Sequence, residues 1–292
     1  MIPINLVYLA VGSNPVYHSQ LAFSVISVIA NNQTSRDVNI HVVTDKPEYY
    51  SWLSSVVEVV HVDEDKLKHW RGKYDFFFLT KIEAIKQIAE RCGNEHLLFL
   101  DTDTAIYDNL VEVFSSLDEG KNYLHKWEYD FSKRLKGRKA ENIRCKTLGK
   151  SFAGYDISGK TAMWNSGVVG VSNENNPAEV LNGAKELCNS ILETGLRETF
   201  VEQLSLAIAV TSSGETLEAD SHIKHYWGNK VPWDEMVNKF LSQCAMLGLD
   251  PMGSLKIFKQ YDLTIPEYVK EPKLTKYKNS ISKRYRRIVG SK

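Results

Sequence analysis

The stretch "HLLFLDTDTAIYDNL", residues 96–110, decides the fold. Leu97 to Leu100 form an unbroken apolar run, the pattern of a strand buried on both faces, as in a parallel sheet covered by helices. The run ends in two aspartates one residue apart, Asp101 and Asp103. A single Asp there would serve as an Asx turn or helix cap. Two carboxylates on the same side of an extended chain repel each other, and their pairing points to a cation.

Upstream, Ile4 to Gly12 is a β-branched and aromatic run leading into the loop Gly12-Ser13-Asn14-Pro15. Val38 to Asp45 and Val56 to Asp63 read as further strands. Leu21, Val25, Val28 and Ile29 recur at helical spacing within 17–30, and Ile82, Ile85, Ile88 and Ala89 share one face of a helix over 80–92. Strands alternating with helices predict an α/β fold, a mostly parallel central sheet flanked by helices. Ligands of such sheets bind outside the carboxyl ends of the strands, so the loop 12–15 and Asp101–Asp103 are expected to meet in space.

Downstream, residues 120–160 are polar and include "KRLKGRK" at 133–139, which reads as a long insertion or lid. Thr161 to Ser172 returns as a strand, interrupted by Asn165-Ser166-Gly167. A helix is expected over 176–193, with Asn176 as cap and Pro177 at its first position, and another over 199–210.

Composition narrows the function classes. With 43% apolar and 25% charged residues over 292 positions, the chain can bury a substantial core and is not a disordered one. Its 36 basic and 36 acidic residues cancel, so no overall field draws it to nucleic acid. The charge is unevenly spread: from Lys270 to Lys292 nine basic residues face one acid, Glu271. This divides the chain into a catalytic-sized domain, 1–265, and a basic C-terminal tail, 266–292. The tail combines cations with Tyr277, Ile281, Tyr285, Ile288 and Val289, which suits peripheral contact with anionic lipid or a solvated terminus. The four cysteines are scattered singly, without metal-ligand spacing, and fit a reducing compartment. The N-terminus lacks the pattern of a signal peptide and no run reaches the ~20 apolar residues of a membrane span, so the expected location is cytoplasmic, with the inner face of the membrane as the alternative site.

"FLDTD" after an apolar strand, "WNSGVVGVS" some 60 residues later and "HIKHYWGNKVPW" at 222–233 occur in an order that resembles the GT-A glycosyltransferases, which are Rossmann-like. The pattern is most similar to retaining glycosyltransferase family 8, the group of glycogenin and the bacterial lipooligosaccharide galactosyltransferases. The resemblance spans Ile4 to Trp233 at the level of motifs. It implies Mn²⁺, with Mg²⁺ as the alternative, held by Asp101, Asp103 and His225. It also implies a nucleotide-sugar donor, UDP-linked, and a saccharide or lipid-linked glycan acceptor. Thr102 falls within the same motif. Asn165, Ser166 and Gly167 match the segment that contacts the donor sugar. Gly228 and Pro232-Trp233 match the late H-x-x-G-x-x-K-P-W motif, whose lysine serves the diphosphate; here Lys230 follows Gly228 by only two residues, and Val231 precedes the proline. "FVEQLSLA" aligns with an acid-Gln-acid segment. It makes Gln203 the group on the sugar face opposite the leaving group, with Glu202 as the alternative and Leu204 in place of the second acid.

The residues themselves support this chemistry. A diphosphate leaving group gains negative charge as the glycosidic bond breaks, and a cation on its oxygens stabilises the transition state more than the ground state. At an effective dielectric near 20, a unit charge about 4 Å away contributes ~4 kcal/mol before screening. An imidazole ligand at His225 favours Mn²⁺ over Mg²⁺; without the carboxylates it would read as a packing histidine among Tyr226, Trp227 and Trp233. The loop "LAVGSNPVY" is expected to hold the nucleoside through Ala10, Val11, Gly12 and Tyr17, although it lacks the acid that is usual in the family. Lys81, at the start of the helix before the D-x-D strand, either meets the diphosphate or is an ordinary solvated lysine. An inverting enzyme using Glu202 or Asp130 as base, a sugar nucleotidyltransferase and an inactive sugar-nucleotide binder remain as alternatives.

Overall fold

The computed structural model describes residues 1–32, 36–134 and 138–260. In chain order the strands and α-helices are β1 (Ile4–Ala10), α1 (Pro15–Asn31), β2 (Val38–Thr44), β3 (Glu58–His61), α2 (Glu64–Trp70), α3 (Leu79–Cys92), β4 (His96–Leu100), β5 (Thr104–Ile106), α4 (Val111–Asp118) and β6 (Asn122–Asp130). There follow α5 (Arg138–Thr147), β7 (Lys150–Phe152), β8 (Tyr155–Ile157), β9 (Ala162–Val171), α6 (Pro177–Glu193), α7 (Phe200–Ser213), β10 (Thr216–Glu218), β11 (Ile223–His225), α8 (Lys230–Met246) and α9 (Pro251–Gln260).

Seven strands form one sheet in the order β10-β6-β9-β4-β1-β2-β3. The pairs β4–β1, β1–β2, β2–β3 and β10–β6 are parallel; β9 alone runs antiparallel to both its neighbours. The α/β class and the mostly parallel sheet expected from the alternation are therefore present. Side chains two apart share a face. Val7, Leu97 and Phe99 point into a core with α3, α6 and α7, whereas Leu6, Tyr8, Leu98 and Leu100 point into the other core with α1, α8 and α9. Both faces are covered, which explains why β4 reads as a solid apolar run.

Local sequence fixes the helix starts. Asn14 caps α1, its side chain accepting from the Val16 N–H ahead of Pro15. Asn176 caps α6 ahead of Pro177 by accepting from the Glu179 N–H, as the sequence pattern anticipates.

One expectation is overturned and another is refined. Residues 120–160 are not one insertion: Asn122–Asp130 is β6, paired with β9 and β10 inside the main sheet. Its buried half carries Asn122 and His125, and register shifts around Lys126 and Trp127 break its alternation, which hides it from a periodicity reading. β9 runs from Ala162 to Val171, and the expected interruption is an irregularity within it: its ladder with β6 shifts register at Asn165-Ser166-Gly167, Asn165 pairing with Lys126 but Val169 with Leu124.

No described helix is long and apolar enough to cross a membrane. The tail 266–292 and the boundary at 265 lie outside the described residues.

Candidate metal centre

The D-x-D pair begins at the carboxyl end of β4, where the Asp101 N–H donates to the Gly167 carbonyl of β9 at 2.8 Å. The short β5 follows at once and pairs antiparallel with β11, setting His225 opposite Thr104. The Tyr226 N–H then donates to the Asp103 carbonyl at 3.1 Å, fixing the register. Below the pair, the Thr104 hydroxyl donates to the Asp101 carbonyl at 2.8 Å and joins Ser24 and Tyr8 in a buried hydroxyl chain. Two three-residue strands thus bring together residues more than 120 positions apart in sequence.

Asp101, Asp103 and His225 each offer a ligand atom, and these atoms all lie within 4.8 Å of one another. His225 Nε2 is 3.3 Å from Asp103 Oδ1 and 3.6 Å from Asp101 Oδ2. Neighbouring ligands on a cation with bonds of roughly 2.1 Å are about 3.0 Å apart in an octahedron and about 3.4 Å in a tetrahedron. Two carboxylates and one imidazole at this spacing could hold a divalent cation with positions left for another ligand.

The tautomer of His225 follows from its surroundings. Asn165 Oδ1 accepts from the Gly167 N–H at 2.9 Å, so the atom facing that donor is oxygen. The same oxygen lies 2.8 Å from His225 Nδ1, which must therefore carry the proton. Nε2 is left with its lone pair facing the aspartates, as a metal ligand requires. Gly167 is needed for the same arrangement: a Cβ there would come within 2.1 Å of His225 Nδ1.

Each aspartate divides its two oxygens. Asp101 Oδ1 is 3.0 Å from Lys81 Nζ, and Asp103 Oδ2 is 2.7 Å from Lys230 Nζ, while the other oxygen of each carboxylate turns toward His225. Burial disfavours charge on Asp103, but His225 in its protonated form and Lys230 outweigh it and hold the carboxyl well below the usual range. Lys81 is buried, not solvated. It donates to the Ser166 carbonyl at 2.8 Å, lies 3.6 Å from Glu202 Oε1 and sits 4.7 Å from the centroid of the Phe99 ring. Burial works against its charge, yet Asp101 and Glu202 raise its pKa. Glu202 accepts from the Ser166 hydroxyl at 3.2 Å; its pKa is raised by burial against the opposing pull of Lys81. The two aspartates are already balanced by the two lysines. A divalent cation would then offset Glu202 and the nearby Glu128.

A cavity of about 310 Å³ opens beside this cluster, lined by Lys81, Asp101, the Asn165–Gly167 segment, Glu202, Gln203 and His225, with Phe78, Thr199 and Phe200. Glu202 and Gln203 both reach it. Gln203 Nε2 donates to Glu128 Oε2 at 3.1 Å. Glu128, on β6, has no signal in the sequence, since it falls in the stretch read as an insertion.

The remaining candidates are more scattered. Ala10 ends β1, Val11 and Gly12 lie in the loop after it and Tyr17 in the first turn of α1, and none of them lines the cavity. Gly12 has φ +92°, donates its N–H to Asp45 Oδ1 at 2.8 Å and is bridged through its carbonyl to His18. Asp45, from the end of β2, thus brings to this loop the acid its own sequence lacks. The half-exposed Tyr17 ring has Lys230 Nζ 5.6 Å from its centroid, and the same ammonium contacts Asp103. Thr102 is half-buried between the aspartates. At Gly228 a Cβ would meet nothing within 4 Å. Trp233 is buried and stacked on Tyr226, whereas Trp227 is exposed and does not pack as expected.

Sequence reasoning also passed over His125. The register shift between Leu124 and Lys126 leaves it unpaired in the β6–β9 ladder, and its ring packs edge-on against His225, with centroids 5.2 Å apart. Neither nitrogen makes a well-formed hydrogen bond among the described residues. Burial pushes its pKa down to about 4, with His225 adding to the effect.

The chain matches no protein-family model and no curated protein.

Proposed function

We propose that the chain is a GT-A-type glycosyltransferase, resembling retaining family 8, that transfers a hexose from a UDP-linked donor to a saccharide or lipid-linked glycan acceptor with Mn²⁺ as cofactor. The observation that carries this reading is the convergence of Asp101, Asp103 and His225, flanked by Lys81 and Lys230, at the sheet's carboxyl edge, with Asp101, His225 and Lys81 also lining one cavity. A cation at that position supplies electrostatic stabilisation to the departing diphosphate. Lys230, with its ammonium half-exposed on Asp103, is placed to pair with phosphate oxygens, and the Asn165–Gly167 segment lines the space for the sugar.

Glu202 is engaged by Lys81 and Ser166, which weakens it as a nucleophile or general base. Gln203 is tied by its NH₂ to Glu128 and keeps its carbonyl oxygen as the free end. An amide oxygen is a poor nucleophile but stabilises developing positive charge on the anomeric carbon, which favours front-face transfer with retention. The location at the inner face of a membrane rests on the basic tail and belongs to the same proposal.

Thermal unfolding with UDP tests the reading. UDP is expected to raise the melting temperature with Mn²⁺ and not with EDTA, and Asp103→Ala to abolish the rise; an undiminished rise in that variant would refute the metal assignment. Proton NMR of the transfer product then distinguishes retention from inversion.

A further inference from the structure

Glu128 is a carboxylate whose two oxygens are spent on two amides of the site. Oε2 accepts from Gln203 Nε2 at 3.1 Å, and Oε1 lies at the outer limit of a bond, 3.4 Å from Asn165 Nδ2. An ionised carboxylate has acceptors only, so it dictates which end of each amide turns toward it. Nothing else in the site does this for both. Asn165 must then present Oδ1 to the Gly167 N–H and to His225 Nδ1, and Gln203 must present its oxygen away from Glu128.

We infer that Glu128 is a positioning residue that sets the polarity of Gln203 and, acting with the Gly167 N–H, holds that of Asn165, and through Asn165 the tautomer of His225. The chain of contacts runs from Glu128 Oε1 to Asn165 Nδ2, from Asn165 Oδ1 to the Nδ1 proton of His225, and leaves Nε2 as a bare lone pair facing Asp101 and Asp103. If Asn165 were flipped, its NH₂ would donate to Nδ1, the imidazole proton would move to Nε2, and that proton would point at the ligand position. A carboxylate on one strand thus governs whether an imidazole on another can bind a cation. The consequence at Gln203 rests on the proposed glycosyl transfer; the consequence at His225 does not.

Glu128→Gln keeps the size and gives the side chain one donor end, so it can satisfy only one of the two amides without flipping the other. In metal-free, full-length protein at alkaline pH, ¹⁵N NMR of the imidazoles is expected to show His225 as the Nδ1–H tautomer in the wild type and a population of Nε2–H in Glu128→Gln. Mn²⁺ affinity, read by electron paramagnetic resonance, is expected to fall about tenfold. Adding Asn165→Asp to Glu128→Gln exchanges carboxylate and amide across the same contact, restores two acceptors beside Gly167 and His225, and is expected to bring back both the tautomer and the affinity. A loss of packing would not be rescued by this exchange. An unchanged tautomer and Mn²⁺ affinity in Glu128→Gln, or no rescue in the exchanged protein, would overturn the inference. A tautomer shift in protein that shows no Mn²⁺-dependent UDP binding would sustain it while refuting the glycosyltransferase reading.

Discussion

The imidazole of His225 occupies the space that a side chain at residue 167 would need. A Cβ on Gly167 would stand 2.1 Å from Nδ1 and 2.3 Å from Cε1 of that ring. Gly167→Ala must therefore displace either β9 or the ring, at a cost of about 2 kcal/mol for overpacking. With His225→Ala in the same chain the obstruction is gone, and Gly167→Ala should become nearly neutral. Urea unfolding of the four proteins of this cycle gives the coupling directly. Simple additivity of the two substitutions would show that the ring does not set the requirement for glycine.

Lys81 and Lys230 differ in what their loss should do. Lys81 contacts the buried Glu202 and the partly exposed Asp101, so Lys81→Met leaves the Glu202 carboxylate buried without its partner, a loss of about 3 kcal/mol of stability. Adding Glu202→Gln should recover part of it. Lys230 touches Asp103 from a half-exposed position, and Lys230→Met should cost under about 1 kcal/mol. Its effect should fall instead on UDP binding with Mn²⁺. Denaturant curves and UDP titrations on the same variants separate the two roles; equal destabilisation by both would contradict them.

The parts of this fold that could be read from sequence are those where one physical requirement dominates. Leu97–Leu100 had to be apolar because helices cover both faces of β4, and Asn176-Pro177 had to start a helix because one residue caps it and the other cannot continue a strand. The aspartate pair and His225 were also legible, as residue types. Their meeting was expected only from the order of the motifs, because it depends on β5 and β11, three residues each, too short for any periodicity. The strand β6 escaped because Asn122 is buried and bonded to the Val210 carbonyl and the Ser172 N–H, so a polar residue stands where the pattern expects an apolar one. With β6 went Glu128 and His125. Asn165-Ser166-Gly167 was legible as a break in a strand: the β6–β9 register shifts there, and the side chains freed from regular pairing serve the site.

His125 makes the folded protein sensitive to acid. Its ring is buried beside His225 without a well-formed hydrogen bond, and its pKa is pushed from 6.5 down to about 4. His96 is depressed by burial as well: its Nδ1 accepts from the Asn173 N–H, which leaves only Nε2 to carry a proton, donated to Asp118. A group whose folded pKa lies below its unfolded value takes up a proton more readily when the chain unfolds. The stability it contributes is therefore complete above pH 6.5 and is lost as the pH falls toward the folded pKa. For His125 the span corresponds to about 3 kcal/mol. His125→Phe keeps a ring against His225 and removes the titration, so it should lose less stability than the wild type by about that amount across the interval. Because His96 and the carboxylates titrate in both proteins, the difference between their denaturation curves isolates His125. Parallel pH profiles for the two would mean that the ring is protonated as easily inside the protein as outside it.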